Sequence, residues 1–192
     1  MISAIRSRWP TKRILIGKTD LDTAYRRIHA NAKTALTCIA IVDKLAFICL
    51  RLPIGTTHAP LEYTTISKAE IDLGNDLLQD QSWDTYDLNS PHRSLLSPEE
   101  KQQSASHPAK VDPLAVDIIA TEASMDGFMD DIITNTVDDN HWIDRAKSAA
   151  LLVIHTLFRP LHPSESLKRD DPLSLRKLVG EGQLSEQKTC LG

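Results

Sequence analysis

Aromatic side chains are scarce, at 5% of the 192 residues, so any core must be mostly aliphatic. Cysteine is scarcer still. Cys38, Cys49 and Cys190 form no CxxC pair and leave an odd thiol over, which points to free thiols in a reducing compartment. The seven histidines contain no HxxxH or HExxH spacing, which argues against a histidine-built zinc site. No long apolar run is present: "AALLVIHTLF" at 149–158 is about half of what a bilayer crossing needs. Behind the basic residues of "MISAIRSRWP" there is no apolar stretch, so the N-terminus is not a secretory signal. The expectation is an intracellular chain, cytoplasmic or nuclear, with no membrane partner. Internal repeats are also missing.

What remains fits one medium domain with a real core: 41% apolar residues, 25% charged residues and a mean hydropathy of −0.25. The net charge of −4 is unevenly divided. Residues 1–63 hold 10 Lys/Arg against 4 Asp/Glu, residues 64–144 hold 4 against 17, and residues 145–192 hold 8 against 5. Such a layout can serve a polyanion on its flanks and a cation in its middle; a solvated acidic face with a loop accounts for it equally well.

"RILIGKTD" (13–20) reads as a short strand that ends on Asp20, and "LDTAYRRIH" as a short helix after it. "TCIAIV" and "LAFICLR" form two strands of a hairpin around Asp43-Lys44, with Cys38 and Cys49 as small core residues. From Pro60 to Asp80, Tyr63, Ile66, Ala69, Leu73 and Leu77 recur at helical spacing. Residues 81–113 lose all periodicity and read as a hydrophilic insertion. "LAVDIIATEASMDGFMDDIITNTV" returns to β character, with a hairpin over 123–136. Trp142, Ala146, Ala149, Val153 and Leu157 then line one face of a helix over 141–158. The tail from 159 to 192 is irregular, with a short helix at "LSLRKL".

Three Asp-Asp pairs occur, and context separates them. Asp138-Asp139 precedes a helix, where acids cap and favour the N-terminus. Asp170-Asp171 precedes Pro172 and is turn chemistry. Only Asp130-Asp131 lies between apolar neighbours, Phe128-Met129 and Ile132-Ile133. Two carboxylates there repel each other and are costly to desolvate without a cation. An acidic hairpin tip in water is the plain alternative for the dipeptide by itself. Asp20, also at the end of an apolar strand, can complete an oxygen-ligand site for hard divalent ions if the two strands are neighbours.

Three blocks in this order resemble the reverse transcriptase palm of LTR retrotransposons, nearer the gypsy type than the copia type. "KTDLDTAYRRI" (18–28) is similar to the first aspartate motif, "LRLPIGTTHAPLEY" (50–63) to the block usually read as "LPFGL-NAP--F", and "GFMDDIIT" (127–134) to the "YxDD" block with Phe128 in the tyrosine position. The second block is the most specific, since no simple packing reason accounts for its pattern. The resemblance implies an α+β fold, a reverse-transcriptase-like palm. In it a small antiparallel sheet of the 13–19 strand and the 123–136 hairpin is backed by helices 60–79 and 141–158. The 37–51 hairpin would extend or flank that sheet. One partial domain is implied, its palm core at about 13–80 and 114–158. With 19 residues before Asp20, fingers and thumb are expected to be largely missing, as is an RNase H segment of a longer polyprotein.

By the same resemblance, Asp20 and Asp130 would be metal ligands, with Asp131 supporting them and Leu21 offering a backbone carbonyl. The metal would be two Mg²⁺ ions about 4 Å apart, with Mn²⁺ as substitute, serving nucleotidyl transfer onto a primer 3′-hydroxyl. Tyr25 would lie under the sugar and exclude a 2′-hydroxyl, although an aromatic on a short helix is equally at home in a core. Pro53, Gly55, Ala59 and Pro60 would shape the approach to the template and the incoming base, together with Phe128. Arg51, Arg26 and Arg27 are candidates for phosphate contacts. Lys188 would match a later lysine that acts as general acid, or be a surface lysine. The partners would be an RNA or DNA template with primer and deoxynucleoside triphosphates. A catalytically inactive retroelement remnant that at most binds nucleic acid or a protein is the main alternative. An unrelated metal-dependent phosphoesterase would need the aspartates but leaves "LPIGTTHAP" without an account.

Overall fold

The computed structural model describes residues 2–57, 59–85, 91–96, 122–159, 164–166 and 170–188. Within them the chain runs α1 (Ile2–Arg8), β1 (Ile14–Asp20), α2 (Ala24–Arg27), α3 (Ala32–Thr37), β2 (Ile39–Val42) and β3 (Leu45–Ile48). It continues through α4 (Ala59–Gln79), a 3₁₀ turn at Pro91–Leu96, β4 (Ala123–Phe128), β5 (Asp131–Val137), α5 (Asn140–Leu157) and α6 (Leu175–Glu181). The expected β character at 114–121, Cys190, and the insertion apart from residues 81–85 and 91–96 lie outside the described residues.

β-branched Ile14, Ile16 and Thr19 favour a pleated strand, and β1 becomes the edge of an antiparallel sheet in the order β1-β5-β4. The β1–β5 ladder runs from Ile14↔Val137 to Asp20↔Asp131. β4 and β5 close on Phe128↔Asp131 around the two residues Met129-Asp130. Met129 has φ 55°, the positive value that a two-residue hairpin loop requires at its first position.

Helices α4 and α5 pack against this sheet and each other. Met125 and Ile132 from the sheet meet Tyr63 and Leu78 from α4 and Ala146, Ala149 and Val153 from α5 in one buried cluster. Small residues set the spacing: a Cβ on Gly74 would run into the side chain of Met125, so the glycine lets α4 lie directly on β4. Asn75 fixes that approach in register. Its amide donates to the Met125 carbonyl at 3.0 Å and its oxygen accepts from the Met125 N–H at 2.9 Å, satisfying a strand that has no further neighbour among the described residues. At the other edge, Ile16 exchanges backbone bonds with Ser185 at 2.7 and 3.0 Å.

Side chains close the start of α5 and the end of α4. The Asp139 carboxylate accepts from His141 N–H at the start of α5, as the sequence around Asp138-Asp139 predicts. Arg145, buried within α5, donates to the carbonyls of Leu77, Leu78 and Asp80 at the end of α4 and lies 5.1 Å from the Trp83 ring centre. A cation there offsets the negative end of the α4 dipole and satisfies carbonyls that have no helical partner.

Several expectations are corrected. The 37–51 hairpin forms, with Asp43 and Lys44 at φ 49° and 65° as a tight primed turn demands, but it is a separate two-stranded sheet rather than an extension of the first. All eight of its strand residues are exposed, and Cys38 and Cys49 are only half-buried beside it. The fully buried face of α4 is Tyr63, Ser67, Glu70, Gly74 and Leu78; of the expected apolar positions Tyr63 is on it, Leu73 and Leu77 pack beside it partly buried, and Ala69 is exposed. The reason is close packing: the face that touches β4 is the one with the small Ser67 and Gly74. Leu157 is likewise exposed at the end of α5. Helix α1, absent from the sequence reading, packs Ile5 against Ile14 and Val137. The tail helix occurs as α6.

Candidate functional site

Strand alternation and ladder register bring the acids together. Asp20 is the last residue of β1, Asp131 the first of β5, and they are cross-strand partners. Just beyond them the Leu21 N–H meets the Asp130 carbonyl at 3.4 Å, so all three aspartates share one corner of the sheet. Directly opposed residues in an antiparallel pair stand about 4.5–5.5 Å apart at Cα. The carboxylate that meets Asp20 is therefore that of Asp131, whereas the family resemblance gives Asp130 the leading role. Asp130, in the turn, acts on its neighbours through its charge.

Two lysines answer this charge. Lys177, from α6, donates to Asp20 Oδ1 at 2.7 Å. Lys18, on the same strand and face as Asp20, is 8% exposed and lies 3.1 Å from Asp131 Oδ2 and 3.4 Å from Glu181. Burial raises the Asp20 carboxyl to about 6, with the Lys177 hydrogen bond pulling it down and Asp131 and Asp130 adding to the rise. The Lys177 ammonium is pushed up chiefly by its bond to Asp20. At Lys18, burial works to lower the value, but Asp131 and Glu181 outweigh it and the net shift is upward. One carboxylate oxygen stays without a partner: Asp131 Oδ1 is buried and accepts no hydrogen bond.

The floor of the corner is aromatic. Tyr25 from α2 packs its ring 4.9 Å from that of Tyr63, at 34°. Burial, then Glu70 and Asp130, drive the Tyr63 hydroxyl well above its ordinary range; burial and Asp130 raise Tyr25. Both uses foreseen for Tyr25 are compatible with its position, half-buried against the core and beside the acids. Phe128 is exposed at the hairpin end.

The "LPIGTTHAP" segment has a structural reason after all. Leu52 and Ala59 are buried in the main cluster, Thr56 donates its hydroxyl to the Pro53 carbonyl at 3.2 Å, and Pro60 occupies the first turn of α4, where its missing N–H costs nothing. Gly55 has φ 93° with open space where a Cβ would stand, so its conformation, not crowding, calls for glycine. Lys188 donates to the Gln183 carbonyl at 2.6 Å. Arg51 is exposed and joined through backbone pairing to His29.

Sequence reading missed Lys18 and Lys177. Lys18 carried a signal, since a residue two before Asp20 in a strand shares its face. Lys177 carried none, because 157 positions separate it from its partner. Among the described residues, no three or more His, Cys, Asp and Glu side chains converge closely enough to hold a metal ion as they stand, and no helix is long and apolar enough to cross a membrane. Comparison with protein-family models, curated proteins and solved structures finds no match.

Proposed function

We propose that the chain is the palm-centred part of a retroelement RNA-directed DNA polymerase. One observation carries the reading: the β1–β5 register sets Asp20 against Asp131 with Asp130 in the adjoining turn, so that residues from two of the three resembling blocks meet. The donors are of the oxygen type that a hard divalent ion takes, although their side chains would have to draw closer together to hold one. The four carboxylates of Asp20, Asp130, Asp131 and Glu181 face two ammonium groups, leaving the corner negative, and Asp131 Oδ1 is an acceptor in want of a partner.

Asp20 and Asp130, with Asp131 behind them, would hold two Mg²⁺, which when bound supply activation of a primer hydroxyl and stabilisation of the leaving oxygen. The remaining work falls to the chain's own groups. The Tyr25-Tyr63 platform gives a sugar a rigid wall, and the Lys177 ammonium, rather than that of Lys188, stands at the corner with a proton to give to a leaving pyrophosphate.

A second reading, an inactive remnant, has its own support. Lys177 and Lys18 already pair with Asp20 and Asp131, and ion pairs of this kind need no metal to exist. Primer extension with Mg²⁺ or Mn²⁺, deoxynucleoside triphosphates and a primed template separates the two. Extension that disappears in Asp20→Asn and Asp130→Asn supports the polymerase. If the unaltered chain neither extends a primer nor binds Mg²⁺ by calorimetry, the polymerase reading is lost and the remnant stands.

A further inference from the structure

Away from the acids, a cavity of about 400 Å³ opens between the end of α2, the residues before α4 and the end of α5. Four guanidinium groups line it, from Arg26, Arg27, Arg51 and Arg159, with His29 and Phe158 beside them and Asp170 as the lone acid. This concentration of like charge is held by the backbone. His29 and Arg51 are a β-bridge pair, the Leu52 N–H bonds the Ile28 carbonyl at 2.9 Å, and the Ala30 N–H bonds the Leu50 carbonyl at 3.1 Å.

The arginines divide into two kinds. Arg27 and Arg159 are tied: Arg27 donates to the carbonyls of Asp22, Asp170 and Asp171, and Arg159 pairs with Glu165 at 2.9 Å. They supply fixed positive charge. Arg51 spends one nitrogen on the Arg27 carbonyl at 3.2 Å, and the Arg26 side chain has no partner among the described residues. Their remaining N–H groups form the fork geometry that takes a tetrahedral oxyanion by two bonds at once. Arg27 and Arg159 are also ion-paired, to Asp22 at 3.7 Å and to Glu165, so the charge without a carboxylate partner among the described residues is that of Arg26 and Arg51, which a phosphate group matches.

We infer that this cavity is a binding site for the phosphate group of a nucleotide-sized ligand. Its volume exceeds what inorganic phosphate needs and lies in the range of small-ligand sites, and Phe158 gives an aromatic wall for a base. The site lies apart from the acidic corner but deepens the polymerase reading, whose resemblance names Arg26, Arg27 and Arg51 as phosphate contacts; a test without divalent ions can fail while that reading stands. The same phosphate chemistry can be presented by a free nucleotide or by one unit of a nucleic-acid strand.

Calorimetric titration in EDTA, which removes divalent ions from the question, tests it with inorganic phosphate, 5′-AMP, adenosine and a twelve-residue oligothymidylate. The expected result is that 5′-AMP binds and adenosine does not, with affinity falling as salt rises. Arg26→Ala and Arg51→Ala should each weaken 5′-AMP by about ten- to hundredfold, the value of a charge-assisted contact. Arg51→Lys, which keeps charge but loses the fork, should fall between. Both arginines are exposed, so unchanged circular dichroism is expected of each variant. Oligothymidylate binding tighter than 5′-AMP identifies a strand as the source; parity or less identifies a free nucleotide. If neither 5′-AMP nor the oligonucleotide binds, if adenosine binds as well as 5′-AMP, or if the arginine variants keep full affinity, the inference is overturned.

Discussion

β1 and the β2–β3 hairpin start from the same kind of sequence, "ILIG" in one and "IAIV" with "LAFI" in the other, and end in opposite environments. Ile14 and Leu15 are buried, while Ile41 is 76% exposed and Phe47 and Leu45 stand in the open. The difference is in partners. β1 has β5 along one edge, the Ser185 backbone along the other and α6 nearby, whereas β2 and β3, among the described residues, have only each other as strand partners. An apolar, β-prone run determines that a strand forms; whether it is buried depends on what the rest of the chain lays against it. The same contrast explains why the acid pair of interest sits on the three-stranded sheet. Only a backed sheet can hold Asp20 at 5% exposure beside two other carboxylates.

The sharpest way to stress this contrast is through the packed face behind β4, where Glu70 of α4 is 1% exposed with Oε1 unbonded. Burial raises its carboxyl to about 8, above the ordinary 4.5. The folded state therefore holds a proton that the unfolded chain releases, and stability falls as pH rises from about 4.5 through 8. The loss is at most about 5 kcal/mol. Glu70→Gln, which cannot ionise, should match the parent near pH 5 and exceed it at pH 9 in urea denaturation; parallel pH curves for the two proteins would remove Glu70 as the cause.

Next in size, Ile132→Ala should cost about 2–4 kcal/mol, since Ile132 is buried between the sheet and its helices. Ile41→Ala in the hairpin should change stability by less than about 0.5 kcal/mol. Equal losses from the two substitutions would mean that something covers the hairpin in solution. Between these lies the ion pair. Lys177→Met leaves Asp20 buried without its nearest cation, at a cost of about 1–2 kcal/mol because Lys177 itself is partly exposed to screening solvent. Asp20 already titrates near 6, so stability contributed at low pH is lost as pH rises from about 4 through 6. In the variant that loss should extend to higher pH, which carboxyl NMR titration would detect; an unmoved Asp20 titration would show that Lys177 does not hold it. The smallest effect is kinetic. Amides in β5, paired on both sides, should exchange hydrogen at the rate of global unfolding, and those of β2 and β3 far faster.

Much of this was readable along the chain. The strand ending on Asp20, the hairpin tip at Asp43-Lys44 and the capping role of Asp139 follow from local alternation, turn chemistry and side-chain reach, all of which act over a few residues; the second tip was expected at Asp130-Asp131 and lies one residue earlier, at Met129-Asp130, with Asp131 opening β5. The apolar positions read on α4 locate only part of its buried face: Tyr63 is on it and Leu73 and Leu77 flank it, while Ser67, Glu70 and Gly74 carry no apolar signal. The helix turns Gly74 and Ser67 to β4, where a short distance between backbones gains more contact than bulk would.

By itself, then, the amino-acid order determined most of the strands and the two long helices, though not α1 or α3, and that acids would gather at one hairpin end and at the end of one strand. Only the tertiary structure decided that Asp131 would face Asp20, that Lys18 and Lys177 would pair with them, and that four arginines would line one cavity. These outcomes depend on pairing between residues more than a hundred positions apart, and such pairing is set by the ladder register and helix packing of the whole domain, which no local pattern records.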